Sequence, residues 1–321
     1  MSMTFRPLGR TGLSVSTICL GTMTYGEQNT EADAFEQMDY ALDQGVNFFD
    51  TAELYAIPPK AETQGRTETY IGNWFKAHGN RNKIILASKV AGRDRGGMKW
   101  LRKDGSSPEV TKAQMIEALE GSLRRLQTDY IDLYYAHQDD PDTSIEESLQ
   151  AFDSLVRSGK VRYIASSNFS ADRMQESLRI SNEAGFASYI AVQEHYNLIE
   201  RESYESGMRK VVAAEGLSIL PYFGLARGFL TGKYRPGTVI DSVRSGGVAA
   251  YQNDEGWKLL SKLDSLANHH KTTVSAIALA WLRSQPTVAA PIASARNINQ
   301  LKEIMPLIEL SADELQLLTN S

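Results

Sequence analysis

Three short apolar runs in this sequence each end on a residue able to do proton chemistry. Asp50 closes the run 46–50, Lys89 closes 83–89 and His137 closes 131–137. Tyr55 follows five residues after Asp50. A free phenol, with a pKa near ~10, is a weak acid at neutral pH. A neighbouring ammonium stabilises the phenolate and lowers that pKa. An aspartate keeps the ammonium charged and in place, and an imidazole can orient a carbonyl oxygen by a hydrogen bond. Together such groups polarise a carbonyl and protonate the alkoxide formed when hydride arrives. Each residue alone also has a plain structural reading: Asp50 as a helix cap, Lys89 as a solvated strand end, His137 as a core histidine, Tyr55 as one of 14 tyrosines. Their arrival at successive strand ends favours the chemical reading.

Other chemistries lack their parts. No G-x-G occurs, so the dinucleotide fingerprint of a Rossmann domain is absent. The segment from Gly228 to Lys233 resembles a P-loop, but three residues rather than four separate its glycines, and Tyr234 stands where Ser or Thr would bind Mg²⁺. There is no H-E-x-x-H, and the adjacent His269 and His270 do not share a helix face, so no metal site is expected. The lone cysteine, Cys19, excludes an intramolecular disulfide and any Cys-rich metal cluster. With 34 basic and 39 acidic residues the net charge is −5, against nucleic-acid and membrane-surface partners; Arg93-Asp94-Arg95 and Arg124-Arg125 read as solvated patches. No signal-like or membrane-spanning apolar run appears, which predicts a cytoplasmic protein. Hydrophobic residues at 42% and charged residues at 23% suit a globular chain.

The elements that position these residues alternate. Strands are predicted at 18–21, 46–50, 83–89, 131–137, 161–166, 190–193, 217–222 and 288–292. Helices are predicted at 32–44, 67–78, 111–126, 144–158, 171–184, 204–215, 256–270, 274–284 and 297–307, several closed by a glycine. Ser144 with Glu147 reads as an N-terminal capping box. Strict alternation demands parallel strands and right-handed crossovers. Eight units can close into a (β/α)8 TIM barrel, with an open doubly wound sheet as the alternative. No linker composition divides the chain, so 1–321 is expected to be one barrel domain, with a β-hairpin at 1–15 and an extra C-terminal helix at 311–321. In a barrel the strand ends converge on one mouth, which gathers Asp50, Lys89, His137, Ser167, Asn168, Gln193, Tyr222 and Ser294.

The motifs around these ends resemble the aldo-keto reductases, in their bacterial NADP-dependent branch, over nearly the whole chain. FRPLGRTGLSVS (5–16) is similar to the family's opening hairpin and LGTM (20–23) to its first strand. FFDTAELY (48–55) resembles its F-D-T-A-x-x-Y signature, the most specific segment. SKV (88–90), DLYYAH (132–137), SNF (167–169) and LARGFLTGK (225–233) resemble its lysine strand, histidine strand, S-N-F turn and L-x-x-G-x-L-T-G-K loop. The resemblance implies a barrel that binds NADP(H) without a Rossmann domain and reduces a small-molecule carbonyl. Tyr55 would be the general acid, Lys89 and Asp50 would tune it, and His137 would orient the carbonyl. Ser167, Asn168 and Gln193 would hold the nicotinamide carboxamide, and Tyr222 would stack on its ring. Gly21, Thr22, Met23 and Asp50 would also face the cofactor. Phe223, Gly224, Leu225, Arg227, Gly228 and Lys233 would run along the pyrophosphate, and Ser294, Arg296, Gln300 and Glu303 along the adenosine phosphate. Arg296 is the candidate for the 2′-phosphate, since a guanidinium suits bidentate phosphate recognition. The chain departs from the family pattern at Phe223-Gly224 for Ser-Pro, Ala293-Ser294 for Pro-Gly, Ile304 for an asparagine, and Gln138 for a tryptophan.

Three long connections, 56–66, 91–109 and 227–255, leave strand ends and could wall a substrate pocket. Two further functions remain open on sequence grounds. One is a nucleotide-sensing regulatory subunit with little turnover; the other is an aldolase using Lys89 as a Schiff-base amine.

Overall fold

The computed structural model describes residues 2–93, 97–238, 240 and 245–320. A two-stranded antiparallel hairpin, β1 (Phe5–Pro7) and β2 (Ser14–Ser16), comes first. Eight parallel strands follow: β3 (Cys19–Gly21), β4 (Phe48–Asp50), β5 (Ile85–Val90), β6 (Ile131–Ala136), β7 (Val161–Ser167), β8 (Tyr189–Gln193), β9 (Ser218–Ile219) and β10 (Ile292–Ala293). They lie in chain order except that β10 pairs with β3. The ring closes between the last two strands: Val288 bridges Ile219, and the Ile292 amide donates to the Pro221 carbonyl at 2.8 Å. The architecture is the (β/α)8 barrel.

The intervening helices are α1 (Glu31–Asp43), α2 (Arg66–His78), α3 (Lys112–Leu126), α4 (Ile145–Arg157), α5 (Ala171–Ala184), α6 (Arg209–Ala214), α7 (Asp254–His269), α8 (Val274–Ser284), α9 (Ile298–Ile304) and α10 (Ala312–Thr319). Their starts follow from capping chemistry. Ser144 Oγ accepts the Glu147 amide at 3.1 Å, and Ser170 Oγ accepts that of Arg173. Gly79 and Gly185 end α2 and α5 in the left-handed conformation that a side chain would disfavour.

Strand parity places the site. Side chains two apart share a face. Cys19, Phe48, Ala87, Leu133, Tyr135, Ala165, Ala191 and Leu220 form one buried cluster inside the barrel, closed from below by Leu8 and Val15 of the hairpin. Continuing each parity upward gives Asp50 above Phe48, Lys89 above Ala87, His137 above Tyr135, Ser167 above Ala165 and Gln193 above Ala191. The opposite parity, including Leu20, Phe49, Leu86, Tyr134, Ile164 and Val192, packs outward against the helices. The candidate residues are thus the top layer of the barrel interior.

The structure departs from the expected elements where proline interrupts. The strands foreseen at 217–222 and 288–292 shrink to two residues each, and the second shifts to Ile292–Ala293. Pro221 and Pro291 have no amide to donate, so the ladders break into single bonds around them. The helix foreseen to reach 307 stops at Ile304, two residues before Pro306. The first turn of the helix foreseen from 204 is a π-turn, Tyr204–Met208. Among the described residues no helix is long and apolar enough to cross a membrane.

Candidate active site at the barrel mouth

Lys89 is the hub of the mouth. Its ammonium, with no solvent exposure, donates to Asp50 Oδ2 at 2.6 Å, to the Thr51 carbonyl at 2.8 Å and to Tyr55 Oη at 3.3 Å. That uses all three of its protons. Burial disfavours the charge on Lys89, but Asp50 and Tyr55 outweigh it and leave the pKa above the ordinary lysine value. Gln193 Nε2 donates to the other oxygen of Asp50 at 2.9 Å. The carboxylate is therefore held from two sides, and its place in β4 is fixed by pairing with both β3 and β5.

Tyr55 sits on the loop after β4 and is 8% exposed. The Gly65 amide donates to its carbonyl at 2.8 Å, so the loop folds back over the mouth. Burial pushes the phenol pKa up and Asp50 adds to this, while Lys89 pulls it down; the net direction is upward. The sequence reading foresaw only the pull of the lysine. Desolvation is the larger effect because the phenolate would sit in a nearly dry pocket. The His137 ring meets the Tyr55 ring edge-on, centroids 5.8 Å apart. Burial, then the Lys89 charge, drives the His137 pKa down to about 3, so its imidazole is neutral.

The residues expected at a nicotinamide also meet. Asn168 Nδ2 donates to the His137 carbonyl and to Ser167 Oγ, while Tyr222 Oη donates to Asn168 Oδ1 at 2.8 Å. Ser167 Oγ donates to the Gln193 carbonyl at 2.8 Å. The Tyr222 ring stacks on His195, centroids 5.4 Å apart. Thr22 donates through both amide and hydroxyl to the Asp50 carbonyl, and the Met23 carbonyl takes the Ile57 amide. A side chain at Gly21 would strike the Ser294 hydroxyl and Ile292, so β3 and β10 close together here.

A second region suits an anion. Phe223, Ala226, Arg227 and Gly228 all have positive φ, between 46° and 101°. Only 226–228 are consecutive, and the Ala226 and Gly228 amides donate to the Phe223 and Leu225 carbonyls, so the attraction for an anion here comes from the cations Arg227 and Lys233. A Cβ on Gly228 would come within 3.6 Å of the Lys233 ammonium, and the Arg227 guanidinium lies 4.3 Å from the Phe223 ring centre. Phe223, the departure from serine, thus serves as a platform for Arg227. Gly224 is buried against Leu282, and Leu225 accepts the amides of Gly228 and Leu230. Near β10, Arg296 is exposed; its amide donates to Gln300 Oε1, and its carbonyl takes Asn29 Nδ2. Glu303 is exposed, and its carbonyl takes the Thr273 hydroxyl. Ile304 is buried in the core instead of facing this region.

Some sequence expectations fall elsewhere. Arg125 pairs with buried Glu68 at 2.8 Å, and Arg93 with Asp140, Glu109 and Asp142. Asp94 and Arg95 lie outside the described residues, as do residues 239 and 241–244 of the third long loop. His269 and His270 do come together, because His270 is the helix cap rather than part of the helix. With Glu314 they put three ligating atoms within 4.8 Å of one another. Glu314 is already engaged by His270 at 2.8 Å and by the Ser311 amide and hydroxyl.

Sequence reasoning missed Thr51, Glu194 and a buried Glu53–Arg102 pair at the mouth. Thr51 acts through its carbonyl, which no sequence signal carries. Glu53 lies inside the FFDTAELY motif, a charged residue at a buried strand end, and that position was the available signal. Arg102 has none, because its partner is 49 residues away.

A profile of the aldo/keto reductase family matches residues 17–320. The chain is 37% identical to Protein tas of Escherichia coli (strain K12), over 97% of its own length and 95% of that protein's. It is 36% identical to an uncharacterized oxidoreductase, YrpG, of Bacillus subtilis (strain 168), over 97% and 93%. It is 29% identical to a probable voltage-gated potassium channel subunit beta of Oryza sativa subsp. japonica, over 96% and 92%.

Proposed function

Because the chain belongs to the aldo/keto reductase family of oxidoreductases, we propose that it reduces aldehyde or ketone carbonyls with NADPH, using Tyr55 as general acid. The observation that carries this reading is the buried chain Asp50–Lys89–Tyr55, at 2.6 and 3.3 Å. A bound nicotinamide dinucleotide supplies the hydride. The carbonyl oxygen lies between Tyr55 Oη and the His137 imidazole. Neutral His137 donates one N–H to that oxygen and orients it without adding a charge. As negative charge develops there, Tyr55 gives up its proton, and the Lys89 ammonium stabilises the phenolate left behind. A phenol kept protonated by burial is the right form for an acid in the reducing direction. An alkoxide is far more basic than a phenolate, so the raised pKa does not stop the transfer.

The polar set of Ser167, Asn168 and Gln193 fits a carboxamide, which offers both donor and acceptor. Tyr222 offers a ring face, supported from behind by His195. The turn at 226–228, with Arg227 and Lys233, fits a pyrophosphate. Arg296, exposed near β10, is the candidate cation for a 2′-phosphate and the reason for preferring NADPH to NADH. Arg227 and Lys233 would carry the pyrophosphate charge in place of the missing serine of the usual motif.

Substitution of Tyr55→Phe tests the acid. Loss of NADPH absorbance with a carbonyl panel should fall by about 10²- to 10⁴-fold, while NADPH binding stays unchanged. Full turnover in that variant would refute the assignment. The Schiff-base reading fits poorly, because Lys89 is charged with its protons all engaged, whereas such an amine needs a lowered pKa. A nucleotide-sensing subunit is the second reading, suggested by the channel-subunit name of the Oryza sativa relative. Tight NADPH binding without turnover on any carbonyl, with a stable heteromeric partner, would favour it.

A further inference from the structure

We infer that Glu53 and Arg102 form a positioning pair that locks the Tyr55 loop to the end of the lysine strand and orders residues 97–109 beyond it. The inference deepens the carbonyl-reductase reading and rests on it for its catalytic consequence.

Glu53 stands between Asp50 and Tyr55 on the mouth loop, and its side chain is 3% exposed; that of Arg102 is 1% exposed. The pair is a fork: Arg102 NH1 to Glu53 Oε2 and NH2 to Oε1, both at 3.0 Å. Every remaining guanidinium proton is also used. Nε donates to Gln114 Oε1 at 2.7 Å, NH1 to the Leu101 carbonyl at 3.3 Å and NH2 to the Ala91 carbonyl at 3.4 Å. Gln114 in turn takes the Glu109 amide and donates to the Ser107 carbonyl, so the first turn of α3 and the end of the loop are drawn into the same knot.

The other side of the pair reaches the catalytic strand. Glu53 Oε1 accepts the Ala91 amide at 2.7 Å, the Glu53 amide donates to the Lys89 carbonyl at 3.3 Å, and the Glu53 carbonyl takes Gln64 Nε2. Three carboxylates from one stretch of chain thus grip successive points of β5 and its exit. Glu68 takes the Ser88 hydroxyl, Asp50 takes the Lys89 ammonium and Glu53 takes the Ala91 amide. Fold stability alone is a poor account of such a pair, because well-packed apolar residues of similar volume stabilise as well or better than buried ions. What a saturated fork adds is geometry. It fixes where Tyr55 stands relative to Lys89, and where the loop carrying Trp100, 38% exposed, leaves the mouth. Lysine cannot replace the arginine, since a point ammonium cannot satisfy both carboxylate oxygens, Gln114 and two carbonyls at once.

The test compares wild type, Arg102→Lys, and the double variant Glu53→Gln/Arg102→Gln, which leaves no unpaired buried charge. All are assayed well below their melting temperatures. Three quantities are read: the NADPH dissociation constant, kcat and KM for a carbonyl that the wild type reduces, and amide exchange at Ala91 and residues 97–103. Both variants should keep NADPH affinity within about twofold, lose kcat by about ten- to a hundredfold from misplacement of the acid, and exchange the Ala91 amide about tenfold faster. The double variant should melt near wild type and still be slow, which separates positioning from stability. Folded variants with kcat and exchange both near wild type would overturn the inference, as would full recovery of kcat in the double variant. If the wild type reduces no carbonyl, the proposed function fails instead. The exchange readout then still decides the pinning: faster exchange supports it and unchanged exchange overturns it.

Discussion

Lys89 Nζ stands 2.6 Å from Asp50 Oδ2, and neither side chain is more than 4% exposed. A pair this deep is held by mutual need. Removing the ammonium leaves a buried carboxylate with the Gln193 amide as its side-chain partner. Lys89→Met should therefore cost about 3–5 kcal/mol in stability and also abolish carbonyl reduction. Lys89→Met with Asp50→Asn removes both charges and should regain most of the stability but none of the turnover. Urea denaturation of the three proteins, with an NADPH assay alongside, separates the two effects. A single variant as stable as the wild type would show that the pair is not desolvated as described.

The placement of that pair was legible in the sequence because strand parity is a strong signal. Asp50, Lys89 and His137 end three apolar runs, and period-two alternation puts each above a buried interior residue. The Asp50–Lys89–Tyr55 contacts follow from that convergence. What was not legible was the balance of forces on Tyr55. A sequence shows the lysine beside the phenol but not the dryness of the pocket, and burial is the larger effect. The shortened last strands were hidden for a related reason. Apolar residues at 217–222 and 288–292 read as strand, while Pro221 and Pro291 decide how much of the ladder forms. Arg102 was invisible because its partner is distant in sequence and the loop between them carries no periodicity.

His137 gives a pH signature. Its pKa falls from the ordinary 6.5 to about 3 in the folded protein, through burial and the Lys89 charge. Below pH 6.5 the unfolded chain takes up a proton that the native imidazole refuses. The native state thus loses ground as pH falls from 6.5 toward about 3, by up to about 1.4 kcal/mol per pH unit. His137→Asn removes this contribution. Urea midpoints of the two proteins measured at pH 7, 6, 5 and 4 should diverge, with the wild type falling faster. Parallel curves would mean that His137 protonates freely in the native state. Carbonyl reduction should likewise show no limb near pH 6.5 attributable to this histidine.

Arg296 gives a cofactor signature. Its backbone is tied at both ends, by Gln300 and by Asn29, while its guanidinium is exposed. Such a side chain is free to meet a phosphate without first breaking an internal pair. Arg296→Met should weaken NADPH binding by about ten- to a hundredfold, the worth of hydrogen bonds to a charged group. NADH binding should change by no more than about twofold. Fluorescence titration with both nucleotides measures the ratio. Equal losses for the two would remove Arg296 from the 2′-phosphate and place the discrimination elsewhere on the loop.

Glu194 gives a second pH signature, of opposite sign. It follows Gln193 at the mouth, and its Oε1 is buried without a partner. Burial raises its pKa from 4.5 to about 8, although the amides of Phe169 and Asn168 pull it down. Those amides belong to the turn in which Asn168 adopts a left-handed φ of 58°. At neutral pH the native carboxyl is therefore largely protonated, whereas the unfolded one is ionised. Folding takes up a proton, and the stability this group contributes is full below pH 4.5 and is lost as pH rises through about 8. Glu194→Gln keeps the shape and cannot ionise. The variant should match the wild type near pH 5 and become the more stable protein progressively up to about pH 8.5. Urea midpoints across that range, for both proteins, measure the divergence. Midpoints that run parallel from pH 5 to pH 8.5 would show that Glu194 is ionised in the native state, and that the two amides, not burial, govern it.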